Sequence, residues 1–252
     1  MSSANQSTNQ VNIHVHAVTK VSHRICKVRD SNMDSPNLRH SWLPDLCTAI
    51  AILYENVQSP DGTRRCEYLM RLAKHISEYE LPPQIKVNTV VSAMLKEALI
   101  ATCIDREGLL DLMQGTILLP VEETLGIYIT IIGLTPTESL YPRMRHMPRE
   151  VLFDLQVDRL PKLSPSVSIV AATDMILTIR EMDTYPWDNE RKTEFIQDTR
   201  KVLSTAEGVM CSEHCCSDLL YEIWCTQKWI NDITAKQEAA DTVPREYGYS
   251  DR

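Results

Sequence analysis

Apolar residues recur along much of the chain at the three- and four-residue spacing that gathers them on one face of an α-helix. Over residues 43–57, Leu46, Cys47, Ile50, Leu53, Tyr54 and Val57 share such a face. Ser41 is placed to cap that helix and Pro44 suits its first turn. A turn, Ser59-Pro60-Asp61-Gly62, separates it from a second helical pattern over 64–80, with Leu69, Leu72, Ala73 and Ile76 as its stripe. Pro82 and Pro83 end that pattern. Residues 88–102 repeat it through Val91, Met94, Leu95, Ala98 and Leu99, and residues 105–114 form a shorter helix closed by Gly115. Two more helices close the pattern. One, over 190–206, has Phe195, Ile196, Thr199, Val202 and Leu203 facing inward; the other, over 212–233, does the same with Leu219, Leu220, Ile223, Trp224 and Ile230.

Three segments break the helical rhythm. Residues 11–17 alternate apolar and polar, as a half-buried strand does. Residues 126–133, Gly-Ile-Tyr-Ile-Thr-Ile-Ile-Gly, are β-branched and aromatic between two glycines, the composition of a buried strand. In residues 167–179, Val167, Ile169, Ala171, Met175, Leu177 and Ile179 share one parity, which predicts a strand and leaves a buried helix as the alternative. The fold class expected is therefore α+β: one domain over 11–234, helices packed on a small sheet containing 127–132 and 175–179. A disordered arm over 1–10 precedes it and a flexible tail over 235–252 follows. Trp224 lies on the apolar stripe, so Trp224 and Trp229 are expected in the core.

Composition adds compartment and charge. With 43% hydrophobic residues among 252, the chain can bury a substantial core. No run reaches the ~20 apolar residues that span a bilayer, and no secretory signal is visible. The expectation is an intracellular protein of cytoplasm or nucleus, its eight cysteines kept as thiols. The net charge of −8 is uneven: residues 1–40 carry a net +3 and the remainder −11. Lys20, Arg24, Lys27 and Arg29 thus form a basic arm suited to an anionic membrane surface or a ribonucleoprotein.

Motifs for catalysis are absent. There is no GxGxxG or GxxxxGK[ST] to cradle phosphates, and no GxSxG, HExxH or HRD run. The expectation is no enzyme, no cofactor and no metal. The nearest thing to a metal cluster, Cys211-Ser-Glu-His214-Cys215-Cys216, offers thiolates and an imidazole but no second ligand pair. It reads as a helix start with a buried thiol. His14 and His16 share a face of the first predicted strand and read as its polar side. The best interaction candidate is the proline-punctuated segment 135–149, a predicted loop presenting Tyr141, Arg143, Arg145 and His146. Through it the chain is expected to self-associate as a homo-oligomer.

The order of these elements resembles the matrix proteins of rhabdoviruses. A polar tail precedes the strand 11–17 and the helix run Asp45-Leu-Cys-Thr-Ala-Ile-Ala-Ile-Leu-Tyr54. A turn at Gly62, a basic-led helix over 64–76, strands over 126–133 and 167–180, and a helix led by Trp187-Asp188 follow. That resemblance implies a structural protein of the virion that self-assembles and bridges nucleocapsid and membrane. A second stretch, Leu163-Ser-Pro165 with Ile169-Val-Ala171-Ala172 and Trp187 downstream, looks like a helix of the cyclins. It implies a regulatory protein that binds a kinase.

Overall fold

The computed structural model describes residues 42–242 apart from 60, 61, 103, 117, 118, 120 and 214. In chain order the principal helices are α1 (Trp42–Leu53), α2 (Arg65–Glu78), α3 (Pro83–Leu95), α4 (Ala98–Ala101), α5 (Arg106–Asp111), α6 (Val121–Leu134), α7 (Thr137–Leu140), α8 (Arg149–Val157), α9 (Pro165–Glu181), α10 (Asn189–Glu213) and α11 (Ser217–Thr242). No strand occurs among the described residues. The β-type pairing found there is an isolated bridge between Gln58 and Arg64, closing the turn in which Gly62 takes a φ of +82°, a backbone state that favours glycine.

The α+β expectation is therefore wrong, and the two predicted strands that fall among the described residues are helices. Residues 126–133 lie in α6, where Thr124, Ile127, Thr130 and Ile131 are buried at three- and four-residue spacing. Residues 167–179 lie in α9, where the buried Ile169, Ala172, Thr173, Ile176 and Ile179 also follow a helical rather than an alternating rhythm. β-branched composition misled because β propensity mostly records burial and packing, which a helix packed over most of its surface offers equally. Buried threonines remain satisfied inside these helices: Thr130 donates to the Gly126 carbonyl and Thr173 to the Ile169 carbonyl, both at 2.8 Å. Pro165 at the first turn of α9 marks the helix start.

α9 is the hub. It packs against α2, α3, α6, α10 and α11, and the main core gathers Leu69 and Leu72 of α2, Met94 and Leu95 of α3, Ile131 of α6, Ile176 of α9 and Leu203 of α10. Close approach of two helices needs the glycines of α6. A Cβ on Gly126 would meet the Asn88 side chain of α3 at 2.3 Å, and one on Gly133 would meet Leu163 and Val167 at 2.7 and 2.9 Å.

Other expectations shift with the fold. Trp224 and Trp229 are not core residues: they are 57% and 40% exposed on the outer side of α11, because the stripe that faces inward is Leu219, Ile223 and Ile230. α11 runs to Thr242. Among the described residues no helix is long and apolar enough to cross a membrane. The arm over 1–10, the strand over 11–17 with His14 and His16, and the basic residues Lys20, Arg24, Lys27 and Arg29 lie outside the described residues.

Candidate functional site

The chain turns a corner between α3 and α4, and the two residues at that corner are Lys96 and Glu97. They are flanked by Met94-Leu95 and Ala98-Leu99, so the core carries them inward. Lys96 is only 8% exposed. A charge so placed needs partners, and three helices supply them. The Lys96 ammonium lies 2.8 Å from Oδ2 of Asp174 on α9 and 3.2 Å from Oε1 of Glu97. Arg65, at the start of α2, grips Glu97 with two nitrogens: Nε donates to Oε2 at 2.7 Å and Nη2 donates to Oε1. The Tyr68 hydroxyl donates to Oδ1 of Asp174 at 2.6 Å and lies 2.9 Å from the Thr178 hydroxyl. The Arg65 guanidinium also lies over the Tyr68 ring, 4.6 Å from its centroid.

The electrostatics follow from this list. Burial raises the Glu97 carboxyl, but the Lys96 and Arg65 charges outweigh it and hold it at about 2. Burial lowers Lys96, yet Asp174 and Glu97 leave it above its ordinary value, so it stays an ammonium. Burial, then the Asp174 charge, push Tyr68 well above the ordinary range, so its hydroxyl stays a donor. Two cations face two carboxylates and the group is neutral overall. Beside it, the Tyr54 side chain is fully buried.

The cluster opens into a cavity of about 160 Å³. One end is Lys96, Glu97 and Asp174. Leu134 and Pro136 from the end of α6, Phe153, Gln156 and Val157 of α8, and Met175 of α9 make most of the wall. The space matches that of engineered apolar cavities which take up benzene. An apolar chamber with a few convergent charges at one end is the usual form of a small-molecule site, and the perturbed carboxyl points the same way. None of these residues is a candidate in the sequence. The signal available is a Lys-Glu pair inside an apolar run and an aspartate between Thr173 and Met175, charges where an amphipathic pattern wants apolar residues.

The sequence candidates lie elsewhere. Tyr141, Arg143, Arg145 and His146 are exposed, but the predicted loop is mostly short helix, with α7, a 3₁₀ turn over Pro142–Met144 and the start of α8. None of the four lines the cavity. Cys211 is exposed at the end of α10, whereas Cys215 and Cys216 are buried. Burial pushes the Cys216 thiol up to about 11, and Cys215 lies against the Met210 sulfur at 3.5 Å. His214 falls outside the described residues. Among the described residues no three His, Cys, Asp or Glu side chains stand close enough to hold a metal ion.

No family model matches the chain, and no curated protein matches it. Among solved structures it is similar to a metazoan ortholog of SpoT, described as hydrolysing ppGpp and playing a role in starvation responses. The TM-score is 0.55 at 13% identity, over 73% of this chain and 92% of that one. At that identity the likeness shows the fold alone. It nevertheless corrects the sequence reading. The fold is neither the expected α+β matrix-protein architecture nor that of a cyclin, so the virion-assembly and kinase-binding roles drawn from those resemblances fall with them. The expectation of no enzyme rested on the same resemblances and on missing motifs. It gives way too, because the helical fold is one that a described hydrolase uses.

Proposed function

We propose that the chain is an enzyme of the hydrolase kind, with its active site in the cavity beside Lys96, Glu97 and Asp174. The observation that carries this reading is the buried charge cluster forming one end of an otherwise apolar chamber. The fold shared with a ppGpp hydrolase supports it as analogy. The substrate is small, or presents a ring-sized apolar group to the cavity. It places an electron-rich carbonyl or phosphoryl oxygen against the Lys96 ammonium.

Each charged residue then has a distinct part. Lys96, protonated and nearly water-free, stabilises negative charge that develops on that oxygen. Asp174 receives one hydrogen bond on each carboxylate oxygen, from Tyr68 and Lys96, which leaves acceptor capacity for a water molecule. As general base it takes that water's proton while the water oxygen bonds to the carbonyl carbon or phosphorus. The bond to the leaving group breaks, and the leaving group departs with the electron pair and is protonated by solvent. Glu97, held at about 2, is too weak a base for this step. It positions Lys96, as Arg65 positions Glu97.

The test is turnover by the full chain on a panel running from aryl carboxylate esters through aryl phosphates to ppGpp. Asp174→Asn keeps the shape and one of the two accepted hydrogen bonds, and should lower kcat/KM at least a hundredfold on any panel member that wild type cleaves, with unchanged circular dichroism. A panel left wholly uncleaved, or an Asp174→Asn chain as active as wild type, would overturn the reading.

A further inference from the structure

The outer side of α11 holds three large aromatic side chains against solvent. Tyr221, Trp224 and Trp229 are 67%, 57% and 40% exposed. A single exposed aromatic is ordinary, but these three share one short stretch of helix. The Tyr221 and Trp224 rings lie 6.3 Å apart, and the Lys228 ammonium lies 5.7 Å from the centre of the Trp224 ring. Tyr221, Cys225, Lys228 and Asp232 follow one another at steps of four, three and four residues, which keeps them in one line along the helix. That line is about 16 Å long, and helical geometry puts Trp224 along one edge of it and Trp229 along the other.

The pattern is complementary to itself. Two antiparallel copies of α11, related by a two-fold axis midway between Thr226 and Gln227, bring Tyr221 level with the partner's Asp232 and Cys225 level with the partner's Lys228. The phenol then donates to that carboxylate, and each tryptophan comes beside its own counterpart. A parallel pair would instead set Lys228 against Lys228 and Asp232 against Asp232, and like charges so placed repel. The line carries one cation and one anion, so it is neutral on a chain whose net charge of −8 otherwise keeps copies apart. The three aromatics expose roughly 400 Å² per copy. With Cys225, Lys228 and Asp232 around them, the face approaches the roughly 600 Å² per copy of a small specific interface.

We propose that this face of α11 is a homodimer interface, paired antiparallel across a two-fold axis with the same helix of a second copy. Tyr and Trp are the residue types enriched at the centres of such contacts. The segment 135–149, where the sequence suggests self-association, offers Tyr141 as its one Tyr, Phe or Trp. The inference does not depend on the chemistry of the cavity beside Lys96.

Sedimentation velocity of the full chain tests this apart from any turnover. An interface of this size should give a monomer–dimer equilibrium between about 1 and 200 μM. Tyr221→Ser combined with Trp224→Ser changes exposed side chains alone, so circular dichroism should stay the same while dimerisation weakens by about tenfold or more. Tyr141→Ala should dimerise as wild type does. Lys228→Glu and Asp232→Lys each leave a line of one charge sign and should dimerise poorly alone, whereas an equal mixture of the two should form a mixed dimer. A wild type that stays monomeric over that range, or a dimer that survives Tyr221→Ser with Trp224→Ser, would overturn the proposal. So would loss of the dimer in Tyr141→Ala, or a mixture of the two charge variants that forms no dimer.

Discussion

Two of the carboxylate-centred networks anchored on α2 invite comparison, and one of them borders the cavity beside Lys96. Near the start of α2, Arg65 and Tyr68 join Lys96, Glu97 and Asp174. Seven residues after Tyr68, about 10 Å along the axis, His75 lies 3.0 and 3.1 Å from the two oxygens of Glu222 on α11. Tyr79 donates to the same carboxylate at 3.3 Å and Arg180 at 3.5 Å. The second network ties α2, α9 and α11 together at a somewhat wetter place: the side chains of His75, Glu222 and Arg180 are 24%, 21% and 46% exposed, against 10%, 17%, 17% and 23% for Lys96, Glu97, Arg65 and Asp174. Water can take over lost partners there, whereas around Lys96 it has little access. The difference separates a joint between helices from a group of charges centred on a buried lysine and set against a largely apolar chamber.

The largest effect should come from breaking the drier network. Lys96→Met fills nearly the same volume but leaves Asp174 without its ammonium and Glu97 with Arg65 alone. Removing one partner of a buried ion pair costs about 3–5 kcal/mol. Urea unfolding of the variant and wild type at pH 7 measures it. A loss below about 1 kcal/mol would mean that the cluster is as well solvated as the second network, and the contrast between them would vanish.

Acid should reveal the same asymmetry more gently. The Glu97 carboxyl is held at about 2 in the folded chain and returns to about 4.3 when unfolded. Its folded value is depressed, so its contribution is whole above about pH 4.3. It fades as pH falls and is gone below about 2, amounting to roughly 3 kcal/mol. Stability from urea unfolding at pH 6, 4.5, 3 and 2 should therefore decline more steeply in wild type than in Glu97→Gln. Parallel curves would show that Glu97 is not the carboxylate responsible.

The sequence shows the helices wherever an amphipathic stripe has a wet side. Predicted helices over 64–80 and 190–206 correspond to α2 and most of α10 because Leu69, Leu72 and Ile76, or Val202 and Leu203, alternate with charges such as Arg71 and Lys201 at helical spacing. α6 and α9 have no comparable contrast. In α9, Ser166, Ser168 and Thr173 are as buried as Val167 and Ile169, so polarity no longer reports burial and periodicity fails. The candidate site was hidden for a related reason. Its residues come from positions 65, 97 and 174 and meet only through packing of α2, α3 and α9, and nothing local in the sequence joins them. Tyr141, Arg143, Arg145 and His146 stood out because exposure and proline punctuation are local features, which chemistry in a packed core need not have.

The smallest effect belongs to the wetter network. Glu222→Gln removes the charge at the centre of the α2–α9–α11 joint but keeps a carbonyl oxygen for the Tyr79 hydroxyl. Tyr79 also keeps the Thr173 hydroxyl, 3.4 Å away. Arg180, nearly half exposed, regains water in place of the carboxylate, and His75 does so in part. Partly exposed ion pairs contribute about 0–1 kcal/mol, so the variant should lose about 1 kcal/mol at most in urea unfolding at pH 7. Combined with Lys96→Met, its effect should add, because the two networks share α2 and α9 but no side chain. A cost near that of Lys96→Met, or a double variant far from the sum, would show that α2 couples the two networks. The cavity end and the joint would then have to be treated as one charged unit.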